Sequence, residues 1–259
     1  MKKNKGIILA GGKGLRLRPF TKIFSKHFIP IYNKPMIFYS LSILIYAGIK
    51  EILLICNKED IKNYKKLIEP IKVKNKLKLQ FQIQNNSTGG IAESLIIAPE
   101  SFKKNVNKIL LILGDNFFYG REFPKILNKI ITSKQKNAYV FLSPVSNPSQ
   151  FGIAYLNKKK QISKIIEKPK NIKSNLAVTG LYIYEKKCFE YVKRIKRSKR
   201  GELEITSLNN LYLKLNKLKY FNLGRGITWF DMGTPEKIFD VSEFIKLIEK
   251  KKGFSISNL

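Results

Sequence analysis

The chain has 259 residues, of which 44% are hydrophobic and 12% aromatic; this is enough apolar material for a substantial core and excludes global disorder. Lysine and arginine total 50 against 18 acidic residues, giving a formal charge of +32 that favours anionic ligands through its long-range field. Two distant cysteines, Cys56 and Cys188, and a single histidine, His27, exclude a structural zinc site or an iron–sulfur cluster.

Only seven of the 50 cations are arginine, and isoleucine and asparagine are also abundant, so the lysine excess reads as a compositional bias laid over an ordinary fold. The charge therefore points to an anion binder more than to a nucleic-acid protein. No apolar run approaches the roughly 20 residues needed to span a bilayer. Ile7 to Ala10 is too short for a signal-peptide core, so no membrane partner and a cytoplasmic setting are expected.

Ile7-Ile-Leu-Ala10 stops abruptly at Gly11-Gly12 and predicts a buried strand. The apolar pattern from Met36 predicts a helix closed by Gly48. Glu51–Cys56 reads as a strand, Lys58–Ile68 as a charged helix, and Lys78–Gln84, alternating with period two, as another strand. Ile91–Pro99 reads as helical, and Lys108–Leu113 as a central strand running into Gly114-Asp115. This alternation predicts an α/β fold, Rossmann-like, with a mostly parallel central sheet flanked by helices. Beyond residue 115 the strand-like runs Tyr139–Leu142, Gly152–Leu156, Ile162–Glu167 and Ala177–Tyr184 follow, with a lysine-rich hairpin at Asn157–Lys160. This β-rich half is expected to extend the first sheet within one domain spanning 1–259, and Asp240–Lys251 to form a closing amphipathic helix.

Three segments carry chemistry. In Leu9-Ala-Gly-Gly-Lys-Gly-Leu-Arg-Leu-Arg-Pro19 a strand ends in a glycine-rich turn whose exposed N–H groups form an anion cradle, with Arg16, Arg18, Lys22 and Lys26 nearby. It is neither a P-loop nor a dinucleotide fingerprint, and taken alone it reads equally as an ordinary turn. Asp115 and Asp231, two of only four aspartates, each follow an apolar run. Paired carboxylates at strand ends are how Mg²⁺ is held beside substrate oxygens, although either alone also suits a turn. Glu167 and Lys168, adjacent before Pro169, are expected on opposite faces of a strand. Arg200, in Arg200-Gly-Glu-Leu-Glu-Ile-Thr206, either clamps phosphate or simply precedes a helix that begins with acids.

Together, and in this order, the loop, Ser25-Lys26 with Pro30, Lys34-Pro35-Met36, Leu113-Gly-Asp-Asn116, Glu167-Lys-Pro169 and Arg200–Thr206 resemble the sugar-phosphate nucleotidylyltransferases. Ile31–Tyr39 and Val178–Tyr184 point within them to the branch that joins dTTP to glucose 1-phosphate. The resemblance implies a nucleotide-binding part over about 1–120 and a sugar-phosphate part with the C-terminal helix over about 121–259. It also implies Mg²⁺ as cofactor, a homotetramer, and a place in dTDP-rhamnose synthesis. By resemblance, Leu9, Gly11, Gly12, Gly14, Leu15, Arg16, Lys26, Gln84, Gly90 and Asp115 would bind the nucleotide. Asn116, Gly152, Glu167, Lys168, Val178, Tyr182 and Arg200 would bind the sugar phosphate. Asp115 and Asp231 would hold the metal, and Arg16, Lys26 and Lys168 would act in catalysis.

Departures from the family pattern are Leu15 for threonine, His27 and Glu93 for glutamine, Phe151 for tyrosine, a changed Asn85–Gly90 segment, and an end at Leu259 short of a helical extension. The alternatives are a relative using UTP or another sugar 1-phosphate, a basic RNA-binding protein, and an inactive copy. No Ser–His–Asp or Cys–His set is present for covalent catalysis. The implied chemistry is direct attack of one anion on another, governed by positioning and charge neutralisation.

Overall fold

In the computed structural model, which describes residues 2–84 and 89–259, β1 (Lys3–Leu9) runs into the glycine-rich turn. A short hairpin of β2 (Pro30–Ile31) and β3 (Lys34–Pro35) then leads into α1 (Met36–Tyr46). There follow β4 (Glu51–Cys56), α2 (Ile61–Asn75), β5 (Lys78–Ile83), the short α3 (Glu93–Ile97) and α4 (Glu100–Lys103), and β6 (Val106–Leu113). The second half comprises β7 (Asn116–Tyr119), α5 (Phe123–Thr132), β8 (Ala138–Pro144), β9 (Gly152–Leu156), β10 (Ile162–Glu167) and β11 (Leu176–Glu185). It closes with α6 (Cys188–Tyr191), α7 (Ile205–Lys214), β12 (Leu218–Asn222), β13 (Thr228–Asp231) and α8 (Pro235–Lys252).

The strands β5, β4, β1 and β6 lie side by side and parallel, as the alternation predicts. β11 then pairs antiparallel with β6 and carries β8, β9 and β10 onto the same sheet, with β12 parallel to β8. Successive residues of the inner strands serve opposite faces: Ile7, Leu53 and Leu111 pack in one core cluster, Ile8, Leu54 and Leu110 in another. Burial on both faces is why these strands read as unbroken apolar runs instead of alternating ones. β5, at the sheet edge, keeps its period-two pattern.

Two helices differ from expectation in length. The segment Lys58–Asp60 is a single 3₁₀ turn, and α2 continues past Ile68 to Asn75, through Pro70. Pro70 lies on the exposed side while Ile68 and Ile71 stay buried, so continued burial offsets the hydrogen bond that proline removes. α8 begins at Pro235 instead of Asp240, because the Thr234 side chain accepts the Lys237 N–H as an N-cap. Sequence periodicity did not foresee the ribbon of β7 with β13, which packs under α8 through Phe117, Phe230 and Phe244.

Candidate active site

β1 and β6 end in register, Leu9 opposite Leu113, and the Gly114 N–H donates to the Leu9 carbonyl at 2.9 Å. That bond sets the glycine-rich turn beside Asp115, at the carboxyl ends of parallel strands. Gly12 (φ 106°) and Gly14 (φ 54°) occupy left-handed backbone regions where a side chain would be strained. The Thr21 hydroxyl donates to the Gly14 carbonyl at 2.8 Å and fixes the turn. A groove of about 610 Å³ runs along it, lined by Gly12, Lys13, Arg18, Lys22, Lys26 and Gln84 among others. Its cations, with Lys58, outnumber the acids Glu59 and Asp60, so the groove suits a chain of phosphates.

A second cavity, of about 570 Å³, adjoins the ends of β6, β10 and β13, the start of β9 and the middle of β11. It gathers Arg16, Asp115, Asn116, Gly152, Glu167, Lys168, Val178, Tyr182, Arg200 and Asp231, residues dispersed over more than 200 positions of sequence. The ribbon brings the carboxylates together: Asp231 pairs with Asn116 across β13 and β7, and the Met232 N–H donates to the Asp115 carbonyl at 2.8 Å.

Each carboxylate has its own lysine. Lys26 forms a short ion pair with Asp115, and Lys237 Nζ lies 3.2 Å from Asp231 Oδ2. Burial would raise the Asp115 carboxyl, but Lys26 and the amide of Asn116 more than offset it and hold the group well below the usual carboxylate range. Asp231 is pushed up, first by burial and then by the charge of Asp115, against the opposing pull of Lys237 and Arg16. His27 packs against Gly114; burial, followed by the charge of Lys26, lowers its imidazole to about 3, so it is neutral at physiological pH.

On the opposite wall Thr206 Oγ1 donates to Glu167 Oε2 at 2.6 Å, and Arg200 is held by Glu204 at 2.8 Å and Glu202 at 3.2 Å, with Glu167 at 3.8 Å. The acids Glu202 and Glu204 thus precede α7 and bind Arg200; they do not begin the helix. Glu167 and Lys168 correct the expectation of opposite faces, since both line this one cavity. β10 ends at Glu167, and the left-handed backbone of Lys168 (φ 44°) breaks the strand alternation.

Some predicted residues lie elsewhere. Leu9, Gly11, Gly14, Leu15 and Gly90 line neither space, Leu9 serving through its carbonyl and Leu15 standing 60% exposed. Gly11 packs under the Gln84 side chain, and Gly90 against the backbone of Leu203. The altered segment Asn85–Gly90 falls mostly on residues 85–88, outside the described residues. Beyond it Glu93 pairs with Arg197 at 2.7 Å, and Arg197 also donates to the Gly89 carbonyl at 3.4 Å.

Sequence reasoning missed Trp229, Thr206, Glu204 and Lys237. Trp229, the only tryptophan, sits two residues before Asp231 on one strand and so shares its face, which was the available signal. Thr206 reaches Glu167 from 39 positions away, whereas Glu204 and Lys237 pair with Arg200 and Asp231, four and six residues before them.

Among the described residues no group of three or more acidic, histidine or cysteine side chains converges. A metal held here would take Asp115 and Asp231 and complete its shell from substrate and water. The donors are all hard oxygens, and the charge of Asp115 opposes ionisation of Asp231, a repulsion that a divalent cation relieves. The residues present therefore fit such an ion.

A parallel sheet with a glycine-rich anion cradle and paired carboxylates at its carboxyl edge is the arrangement of a nucleotidyltransferase. The chain belongs to the nucleotidyl transferase family, whose model matches residues 5–247. It is 41% identical over 255 residues to the glucose-1-phosphate thymidylyltransferase of Neisseria meningitidis, covering 98% of this chain and 87% of that protein. It is 38% identical over 256 residues to that of Xanthomonas campestris, covering 99% and 85%. A solved Bacillus anthracis structure named for the same enzyme, in complex with a sucrose, superposes with a TM-score of 0.83 at 37% identity over 93% of this chain and 95% of that one. A UDP-glucose pyrophosphorylase structure, 24% identical, shares the fold with a TM-score of 0.78 over 97% of this chain and all of that one. No helix among the described residues is long and apolar enough to cross a membrane.

Proposed function

We propose that this chain transfers dTMP from dTTP to α-D-glucose 1-phosphate, giving dTDP-glucose and pyrophosphate. The observation that carries the reading is the Lys26–Asp115 ion pair: Lys26 lines the cationic groove, Asp115 lines the second cavity, and their contact joins the two spaces. Two anions lying one in each space would meet there. The relatives' names support the identity of the substrates, and the groove and cavity are spaces of a size and lining that suit them.

A phosphate oxygen of the sugar phosphate attacks the α-phosphorus in line, and the bond to the pyrophosphate oxygen breaks as the new one forms. The nucleophile is already an anion, so no general base and no covalent enzyme intermediate are needed. Gly11, Gly12 and Gly14 present backbone N–H groups to the triphosphate, with Arg16 and Lys26 offsetting charge on the attacked group. Gln84, which lines the groove, reads the base. Lys168 and Arg200 position the incoming phosphate, while Asn116, Gly152, Glu167, Val178 and Tyr182 hold the sugar. Mg²⁺ held by Asp115 and Asp231 would supply charge neutralisation at the phosphates. A cytoplasmic homotetramer is part of the same reading, carried from the family resemblance of the sequence.

Pyrophosphate release measured across dTTP and UTP, several sugar 1-phosphates, and the presence or absence of Mg²⁺ tests the reading. Greatest turnover is expected with dTTP, glucose 1-phosphate and Mg²⁺ together. Absence of release, or a clear preference for UTP or another sugar phosphate, would overturn the assignment.

A further inference from the structure

Lys237 stands in the first turn of α8, an 18-residue helix. A cation there runs against the helix dipole, so its placement needs another cause. Two contacts provide it: Nζ lies 3.2 Å from Asp231 Oδ2 and 5.1 Å from the centroid of the Phe151 ring. Phe151 is itself held edge-on by Trp229, with ring centroids 5.4 Å apart, and Trp229 is anchored to Asn116. The lysine is thus seated between an acidic group and an aromatic face that both line the sugar cavity.

We infer that Lys237 is a resident counter-ion of the Asp231 carboxylate, which a divalent cation must displace in order to bind there. The inference rests on the reading of Asp115 and Asp231 as the metal-holding pair. Ammonium and metal compete for the same oxygen, since Lys237 already lies within ion-pair distance of Oδ2. Arg16, the other cation acting on Asp231, packs against Gly233 from the opposite element and adds to the same opposition. Free metal would therefore bind these carboxylates poorly, whereas a metal arriving with the nucleotide brings phosphate oxygens of its own. The Phe151 face gives the released ammonium a second seat. The device favours entry of metal and nucleotide together.

The test is Mn²⁺ binding to the nucleotide-free protein, followed by the electron paramagnetic resonance signal of the free ion. Lys237→Ser is expected to tighten binding about fivefold, the equilibrium worth of one partly exposed ion pair. Lys237→Arg, which keeps the charge, should match the wild type, and adding Asp231→Asn to Lys237→Ser should abolish the gain. Equal affinity of Lys237→Ser and wild type, with Asp231→Asn still weakening the ion, would overturn the inference and leave the metal pair standing. Binding indifferent to both Asp115→Asn and Asp231→Asn would remove the metal pair and the inference with it.

Discussion

Trp229 donates from its indole Nε1 to Asn116 Oδ1 at 2.7 Å, and the same oxygen accepts the Gly180 N–H at 3.0 Å. One side-chain amide thereby ties the β7–β13 ribbon to β11, and its Nδ2 donates onward to Asp115 Oδ1 at 3.0 Å. The amide fits because residue 180 has no side chain; a Cβ there would lie 2.5 Å from Oδ1. Trp229→Phe removes one of the bonds that orient Asn116 while keeping the ring against Phe151. Its kcat/KM for glucose 1-phosphate should fall roughly tenfold, the scale of one lost hydrogen bond. Unchanged steady-state kinetics would show that the indole only packs.

Asp115→Asn and Arg16→Ala should each lower kcat by roughly 10²-fold or more, as expected for one lost electrostatic stabiliser. The two differ in stability: Asp115→Asn also leaves Lys26 without its carboxylate, in a partly buried position. Single-turnover rates together with thermal unfolding separate the two effects. Near-normal turnover in either variant would remove that residue from the chemistry.

Thr206→Val preserves shape but takes away the 2.6 Å hydrogen bond to Glu167 Oε2. Glu167 is then free to follow the Arg200 guanidinium, which lies 3.8 Å from its other oxygen. The KM for glucose 1-phosphate should rise about tenfold with little change in the KM for dTTP. Equal effects on both substrates would place Thr206 outside the sugar subsite.

Gly90 has a φ of 84°, and a Cβ there would lie 2.5 Å from the Leu203 carbonyl oxygen. Gly90→Ala should cost roughly 1–3 kcal/mol of stability, from strain plus a displaced backbone. Because Leu203 belongs to the segment that carries Arg200, weaker binding of both substrates should accompany the loss. Denaturant unfolding and a KM for each substrate check this.

His27 is held neutral at about 3, against 6.5 for an unburied imidazole, chiefly by burial. Below pH 6.5 the unfolded chain takes up a proton that the folded protein refuses until about pH 3. The stabilisation is therefore complete above 6.5 and is lost progressively as the pH falls toward 3. His27→Gln, which cannot titrate, should unfold with an acid-side pH dependence shallower by about one proton. Identical slopes in denaturant titrations at several pH values would show that the imidazole already accepts a proton in the fold.

Much of the scaffold was legible from local pattern. Ile7–Ala10 against Gly11-Gly12, the helix from Met36 to the Gly48 turn, and the apolar run ending at Gly114-Asp115 are short-range signals, set by side-chain burial and backbone freedom a few residues apart. The ordered motifs from the glycine turn to Arg200 were legible through their resemblance to a family, since each alone also suits an ordinary turn, surface pair or helix start. β7, β12 and β13 were not, because strands of four or five residues carry little periodicity and depend on their partners.

Amino-acid order alone thus determined the alternating strands and helices, the turn built to meet anions, and two aspartates placed at strand ends, each a consequence of neighbours close in the chain. Tertiary structure decided which of those residues share a space: it turned Lys168 toward the same cavity as Glu167, gave Lys26 to Asp115 and Lys237 to Asp231, and set Trp229 on Asn116. Electrostatic and hydrogen-bond energies depend on distances between atoms, and the packed fold sets those distances whether the partners lie 6 positions apart, as Asp231 and Lys237 do, or 113, as Asn116 and Trp229 do.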